Sequence, residues 1–413
     1  MANTLQVQDV YQLINDIAYQ ATGRTDLKAV DTSTFTAVGE TLLRTGVENT
    51  LNAISTVISE TIFSIRPYKG KLDTLRVNQQ RWGAQVRKIT YLTQDYEASQ
   101  DWNTNIAPTQ LADGQSIDMY KINAPKALQL NFYGAKTLQK HITRFRNQLS
   151  LAFHSEAEFM RFIDGVMIEF FNEVEIANEQ KSRLTLINFF AGLVDMGLSV
   201  VDLTATFNAE HGTTLTRDQI LSQDLTRFMQ HFVSTVKITS DRLTDMSAMN
   251  HAQITGKGTI LRHTPKSMQK MIMYGPMFTK AEASVFSEIF NPIYLELGEN
   301  FETVNYWQNQ KNPTAIQAKP NILDVATGES KAGAEVNIPY VVGAIFDREA
   351  CGVMPKFDYA STTPINSAGG YYNMYYHWLF NSYCDYTENA VLFIMSDDGT
   401  SASAMSKARK ARC

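Results

Sequence analysis

One stretch constrains the fold before any other. Between residues 155 and 192 the apolar side chains Phe159, Phe162, Ile163, Val166, Met167, Phe170, Phe171, Val174 and Ala177 recur at helical spacing, and Ser155 and Glu158 stand in capping-box relation. At ~1.5 Å per residue, about 35 residues of helix span ~50 Å. A helix that long must be clad along one side by other elements, which makes it a spine.

Shorter helical runs flank it. Val10, Leu13, Ile14, Ile17 and Ala18 predict a first helix that Gly23 stops, and Val38, Leu42, Val47, Leu51, Ile54, Ile58 and Ile62 predict a second. The second ends at Arg66-Pro67, because proline disfavours helix for the residue before it. Joined by a Thr/Ser-rich link at 31–36, the two read as an arm that packs on something else. Beyond the spine, Leu221, Leu225, Phe228, Met229, Phe232, Val233 and Val236 predict one helix over 216–249, followed by a turn at Gly256 and Gly258. Then come a strand entry at 263–273, a helix at 279–290 closed by Asn291-Pro292, a buried strand at 341–346, and a pair of central strands within 371–395.

Residues 69–137 differ in character. Thr, Gln, Tyr and Asn dominate, and strand-like patches at 86–92 and 127–132 flank a polar middle at 95–115. This is a long hairpin-like excursion with a poor core. An interface element and an ordinary two-stranded flap both fit that composition.

With 413 residues, a net charge of −5 and 44% hydrophobic residues, the chain has the composition of an ordered soluble protein, which excludes disorder, collagen and a polycationic nucleic-acid coat. Its start lacks the basic and apolar regions of a secretory signal, so the protein is expected to be made and kept in cytoplasm. The apolar window 186–203 is interrupted by Asn188, Asp195 and Asp202 and reads as core, with no membrane partner expected.

Chemistry finds little footing. The seven histidines include no pair at helical metal spacing beside a glutamate, and neither a GxSxG elbow nor a phosphate loop occurs. The cysteines Cys351, Cys384 and Cys413 leave one unpaired whatever happens and do not suit a disulfide scaffold or a zinc site. Cys351 and Cys384 lie in apolar or aromatic company, where a buried thiol is inert; a dyad with a distant histidine, assembled only by folding, is the one enzymatic route left open. No catalytic, metal or cofactor-binding residue is assigned, and no cofactor is expected. Met268, Met271, Met273 and Met277 serve as core filling or as an adaptable contact surface. The acid-free tail 399–413, with Lys407, Arg409, Lys410 and Arg412, fits a solubilising terminus or a nucleic-acid contact.

A resemblance organises these features. The segment Gly369-Gly-Tyr-Tyr-Asn-Met-Tyr-Tyr-His-Trp378, followed by Asn389-Ala-Val-Leu-Phe393, resembles the closing segment of the major capsid proteins of small podophages related to phi twenty-nine. Arg262-His-Thr-Pro265 leading through Met271-Ile-Met273, and then Gly343-Ala-Ile-Phe-Asp-Arg-Glu349, resemble that family's strand, helix and strand-turn blocks in the same order. Residues 145–190 sit where the family has its spine helix, and the similarity covers roughly 60–395.

The resemblance implies an α+β, tailed-phage capsid fold of the Hong Kong ninety-seven type. Residues 1–68 would form the N-terminal arm, 69–137 the extended loop, 138–230 the peripheral domain with the spine helix, 231–370 the axial domain, 371–398 the closing strands of the peripheral domain and 399–413 a basic tail. No added immunoglobulin-like domain is expected, and no lysine-asparagine crosslink. The polar stretch 308–337 has no clear counterpart in the family. The implied function is a major capsid protein that self-assembles as hexamers and pentamers into an icosahedral shell. Its implied partners are a scaffolding protein, a portal protein and the double-stranded DNA genome, the last held non-specifically. Assembly would take place in the host cytoplasm. A cellular nanocompartment shell of the same fold is the alternative, and a thiol enzyme the third. Arg81, Trp82, Tyr91, Tyr96 and Trp102 in the loop, and Arg66, Tyr68 and Lys69 at the arm-loop junction, are expected to touch neighbouring subunits, since shells spread each subunit over several others through arms and flaps.

Overall fold

The computed structural model describes residues 7–45, 49–50, 53, 68–77, 85–92, 100–101, 109–110, 114, 116, 120, 122, 124, 127–133, 136–145, 156–256, 258–277, 279 and 301–397. The chain divides into two compact units, one drawn from the described residues within 1–84, 134–182 and 353–382, the other from those within 85–133, 183–352 and 383–413. The spine helix, Glu156–Asp195, runs 40 residues and contributes to both.

In the first unit a three-stranded sheet places Tyr371–Cys384 between Cys351–Thr362 and Lys136–Phe145. Along the central strand burial alternates strictly from Tyr371 to Phe380. Tyr372, Met374, Tyr376, Trp378 and Phe380 therefore share one buried face. Against them pack the apolar stripes of helices Val7–Thr22 and Thr32–Thr45, with Val10, Leu13, Ile14, Ile17, Phe35, Val38 and Leu42 all buried. The expected arm thus lies on the chain's own sheet. Gly23 ends the first helix in the left-handed region at φ 68°, its amide bonded to the Tyr19 carbonyl. The continuation of the second helix through Leu51, Ile54, Ile58 and Ile62 lies outside the described residues, as do Ser155 of the expected capping box and most of the 279–290 helix.

The second unit is built on a five-stranded sheet in the order Val200–Asp202, Ala390–Ile394, Val341–Asp347, Gln269–Tyr274, Phe301–Val304. The three inner strands are buried at every residue. Complete burial requires cover on both faces, and the rings show it. Phe393 meets Phe232 of helix Leu225–Thr244 with centroids 6.1 Å apart, while Phe346 meets Phe189 of the spine at 5.7 Å. Phe393 is paired with Gly343 and Phe346 with Ala390, so the two phenylalanines point to opposite faces. Met271, Met273 and Met277 are buried here, as core filling.

Two expectations need correction. The helix expected over 216–249 is two, Arg217–Gln223 and Leu225–Thr244, separated by Asp224 at φ −131°, ψ 30°. Thr216 opens the first with a complete capping box through Gln219. The closing strands 371–384 and 390–394 are each central, but in different sheets. The polar stretch 308–337 contains two small antiparallel ribbons, Ile316–Ala318 with Val336–Ile338 and Asn321–Leu323 with Ser330–Ala332.

Gly343 sits where two strands of the larger sheet approach closely. A Cβ there would stand 2.5 Å from the Ile272 carbonyl oxygen and 2.9 Å from Met273 Cα, and backbone cannot swing aside as a side chain can. Gly343→Ala is expected to destabilise the protein by about 1–3 kcal/mol through overpacking, read as a lowered thermal midpoint by circular dichroism.

Candidate functional site

The root of the expected loop is an antiparallel ribbon, Gln85–Tyr91 with Ala127–Tyr133. Its period-2 pattern sends Arg87, Ile89 and Tyr91 outward and turns Lys88 and Thr90 to the side of Leu128, Leu130 and Phe132. Leu92, Leu128 and Leu130 pack on Ile254 and Ile260 and close a small core. A lysine on this inner face needs anions. Lys88 Nζ lies 2.6 Å from Glu388, 3.0 Å from Asp385 and 3.2 Å from Glu349. Asp385 and Glu388 are themselves 1% and 8% exposed, so desolvation of all three charges is compensated only within the cluster. Arg262 adds a second cation, with Nε 2.9 Å from Glu388, and its Nη2 donates to Thr90 Oγ1 at 3.3 Å.

Burial alone would lower the Lys88 pKa, but the charges of Asp385 and Glu388 outweigh it and hold the ammonium above its usual range. Burial raises Glu388, against the opposing pull of Lys88 and Arg262. One ammonium is shared among three carboxylates, and for Glu388 burial outweighs the pull of the cations. Glu388 Oε1 contacts two cations within 3 Å.

Beneath it lies a buried polar network. Thr264 Oγ1 donates to Asp347 Oδ2 at 2.8 Å, Asn389 Nδ2 to Thr264 Oγ1 at 3.3 Å, and His251 Nδ1 to Asn389 Oδ1 at 2.9 Å. The Asp347 amide donates to the Asn389 carbonyl at 2.9 Å. Blocks far apart in sequence, 262–265, 347–349 and 388–389, therefore converge on one end of the five-stranded sheet. Of these, 262–265, 347–349 and 389 fall within segments that carry the resemblance.

In the first unit the segment 68–77 is held by the acidic face of the spine. The Tyr68 hydroxyl donates to Glu179 Oε2 at 2.6 Å, its amide to Asn172 Oδ1 at 3.1 Å, and the Gly70 amide to Glu175 Oε1 at 2.8 Å. Arg76 pairs with the same Glu175 and, at 3.4 Å, with Asp73.

Of the residues expected at subunit contacts, three are described. Tyr91 is 74% exposed on the outer face of the ribbon, beside the half-exposed Ile89. Tyr68 is 45% exposed despite its bond to Glu179, and the exposed Lys69 side chain reaches Asp73 at 3.6 Å. Arg66, Arg81, Trp82, Tyr96 and Trp102 lie outside the described residues. Sequence reasoning missed Lys88 as an anchor; the available signal was a charged residue at an inward position of an alternating strand. Among the described residues no group of three or more His, Cys, Asp or Glu is arranged to hold a metal, and no helix is long and apolar enough to cross a membrane.

The architecture is found in solved structures. The capsid of Staphylococcus phage Andhra is 10% identical, with the match covering 81% of this chain and 87% of that one at a TM-score of 0.52, which places this chain in the tailed-phage capsid fold of the Hong Kong ninety-seven type. A structure of the head fiber and inner core protein gp22 of native bacteriophage P68 matches at 11% identity over 81% and 87% of the two chains, with a TM-score of 0.49. The capsid of Cyanophage P-SCSP1u matches at 10% over 82% and 91%, with a TM-score of 0.44. No curated protein sequence matches. The family described as Phi29-like phage major capsid protein matches residues 14–394, and the chain belongs to that family. It is a shell-forming structural protein of the virion capsid that assembles with copies of itself.

Removing the Lys88 charge isolates the anchor. Lys88→Met is expected to cost about 3–5 kcal/mol, the range for breaking a buried pair by deleting one partner, with part of the loss recovered when Glu388→Gln is added. Because the folded pKa of Lys88 is raised above its ordinary value of 10.5, its contribution is fully present below that value and is lost as pH rises beyond it. The stability gap between the wild type and Lys88→Met, measured by urea titration, should therefore be constant near neutrality and narrow above pH 10.5.

Proposed function

We propose that this capsid protein builds an icosahedral shell of hexamers and pentamers around the double-stranded DNA of a podovirus, and that assembly takes place in the host cytoplasm with a scaffolding protein and a portal protein. The observation that carries the reading is the anchored ribbon: a loop root held rigidly by the Lys88 cluster while its other face offers Ile89 and Tyr91 to solvent. Rigid presentation of an apolar and aromatic face lowers the ordering cost of binding a neighbour. Residues 69–137 act as the extended loop and 1–68 as the N-terminal arm; the three-stranded sheet around 371–384 serves the peripheral domain, and the five-stranded sheet, with its strand 390–394, the axial domain. Arg81, Trp82, Tyr91, Tyr96 and Trp102 contact one neighbouring subunit, and Arg66, Tyr68 and Lys69 contribute at the arm-loop junction.

The protein has no catalytic role in this reading. The adjacent Cys384 and burial push the Cys351 thiol well up, away from the thiolate a nucleophile needs. The net charge of −5 suits a wall that encloses DNA without gluing itself to phosphates.

Deleting residues 95–115, which spares the Lys88 ribbon, should leave a folded subunit, with near-native helical circular dichroism, that forms no closed particles by negative-stain electron microscopy. Normal shells from that deletion would remove the loop from assembly. Tyr91→Ala is expected to leave the thermal midpoint within about 0.5 kcal/mol of wild type, as for exposed surface positions. It should nonetheless raise the concentration at which particles appear in light scattering.

A further inference from the structure

Cys351 and Cys384 come together in the fold. The Asp385 amide donates to the Ala350 carbonyl at 2.7 Å, so residue 350 faces 385 across a hydrogen-bonded pair. Two residues on, a Cβ at Gly352 would strike the ring of Tyr383, so 352 faces 383. The position between them is a non-hydrogen-bonded pair, and its two members are Cys351 and Cys384. Such pairs hold their Cα atoms about 4.5 Å apart, with side chains on the same face, within the ~4.4–6.8 Å that a disulfide spans. Cys384 takes a weak bond from Asn188 Nδ2 at 3.5 Å and gives one to the Thr185 carbonyl at 3.6 Å. Both cysteines are reduced in the structure; Cys351 is fully buried and Cys384 partly exposed.

We infer that Cys351 and Cys384 form a redox-modifiable thiol pair, closed to an intrachain disulfide by a small-molecule disulfide. The chemistry is thiol–disulfide exchange. The sulfur of the partly exposed Cys384, as thiolate, attacks one sulfur of the small disulfide, making a mixed disulfide and expelling one small thiolate. Cys351 then gives up its proton, and its sulfur attacks Cys384 Sγ, making the cross-strand bond and expelling the second small thiolate. The protein loses two hydrogens in all, and one small disulfide becomes two thiols. The high protonation of Cys351 makes the second step the slow one and mildly alkaline buffer the condition that favours it. Cys384 immediately precedes Asp385, whose carboxylate lies 3.0 Å from Lys88, so the bond would tie the strand end beside the loop anchor.

The test uses the full native chain incubated with oxidised glutathione in mildly alkaline buffer, then alkylated and mapped by mass spectrometry without reduction. The expected result is a linked peptide joining residues 351 and 384, lighter by two hydrogens than the sum of its parts and abolished by dithiothreitol. Cys413 should carry only glutathione. Cys384→Ser should leave Cys351 free, and Cys351→Ser should stop at the mixed disulfide on Cys384. Should either variant fail to fold, protection of both wild-type thiols from an alkylating agent added in denaturant, after the oxidised glutathione has been removed, decides the question. Cys351 remaining alkylatable after Cys413 has fully reacted, or a linkage seen only after denaturation, would overturn the inference.

Discussion

The Lys88 ammonium is the constraint on which the loop root depends. An inward lysine cannot be left unpaired in a partly desolvated site, so the ribbon is stable in the register that brings Lys88 to Asp385 and Glu388. A slip of one residue would turn Arg87 and Ile89 inward and send Lys88 out. The requirement propagates: Glu388 must also meet Arg262, Asp385 is held by Thr387, and the neighbouring turn is tied through Asn389 to Thr264 and Asp347. One buried cation thereby fixes how four separate segments meet.

Those segments converge because the five-stranded sheet ends there. Its inner strands are covered on both faces by phenylalanines from different helices, which leaves their ends as the places where polar side chains can gather. A buried polar network is stable only if its members are satisfied, and here each member comes from a different stretch of sequence. This gives a physical reason for the blocks that resemble the phi twenty-nine-like capsid proteins: Arg262, Thr264, Asp347, Glu349 and Asn389 belong to one contact system.

How much of this was legible follows the range of the interactions. The spine and the first arm helix were readable because a 3.6-residue period needs only local sequence, and Gly23 announced its own left-handed cap. The break at Asp224 was not readable, because the apolar stripe continues across it while only the backbone departs from helix. The ribbons within 308–337 hide for another reason: strands of three residues carry no period, and their neighbours supply the order, as when Trp307 Nε1 donates to the Val341 carbonyl at 2.9 Å. The Lys88 anchor left one local trace, a charge at an inward position of an alternating strand, but its partner Glu388 could not be read, being 300 residues away. Exposed aromatics such as Tyr91 were legible as surface features of a polar hairpin. The facing of Cys351 and Cys384 depends on a register that no local pattern encodes.

The central claim is that this chain closes into a shell. Sedimentation velocity of the full-length protein, expressed alone and together with the proteins encoded beside it, with negative-stain electron microscopy of every fast-sedimenting fraction, tests that claim most directly. Closed shells or tubes of hexamers are expected. A stable monomer or dimer under every condition, with no particle even when a scaffold is supplied, would contradict it.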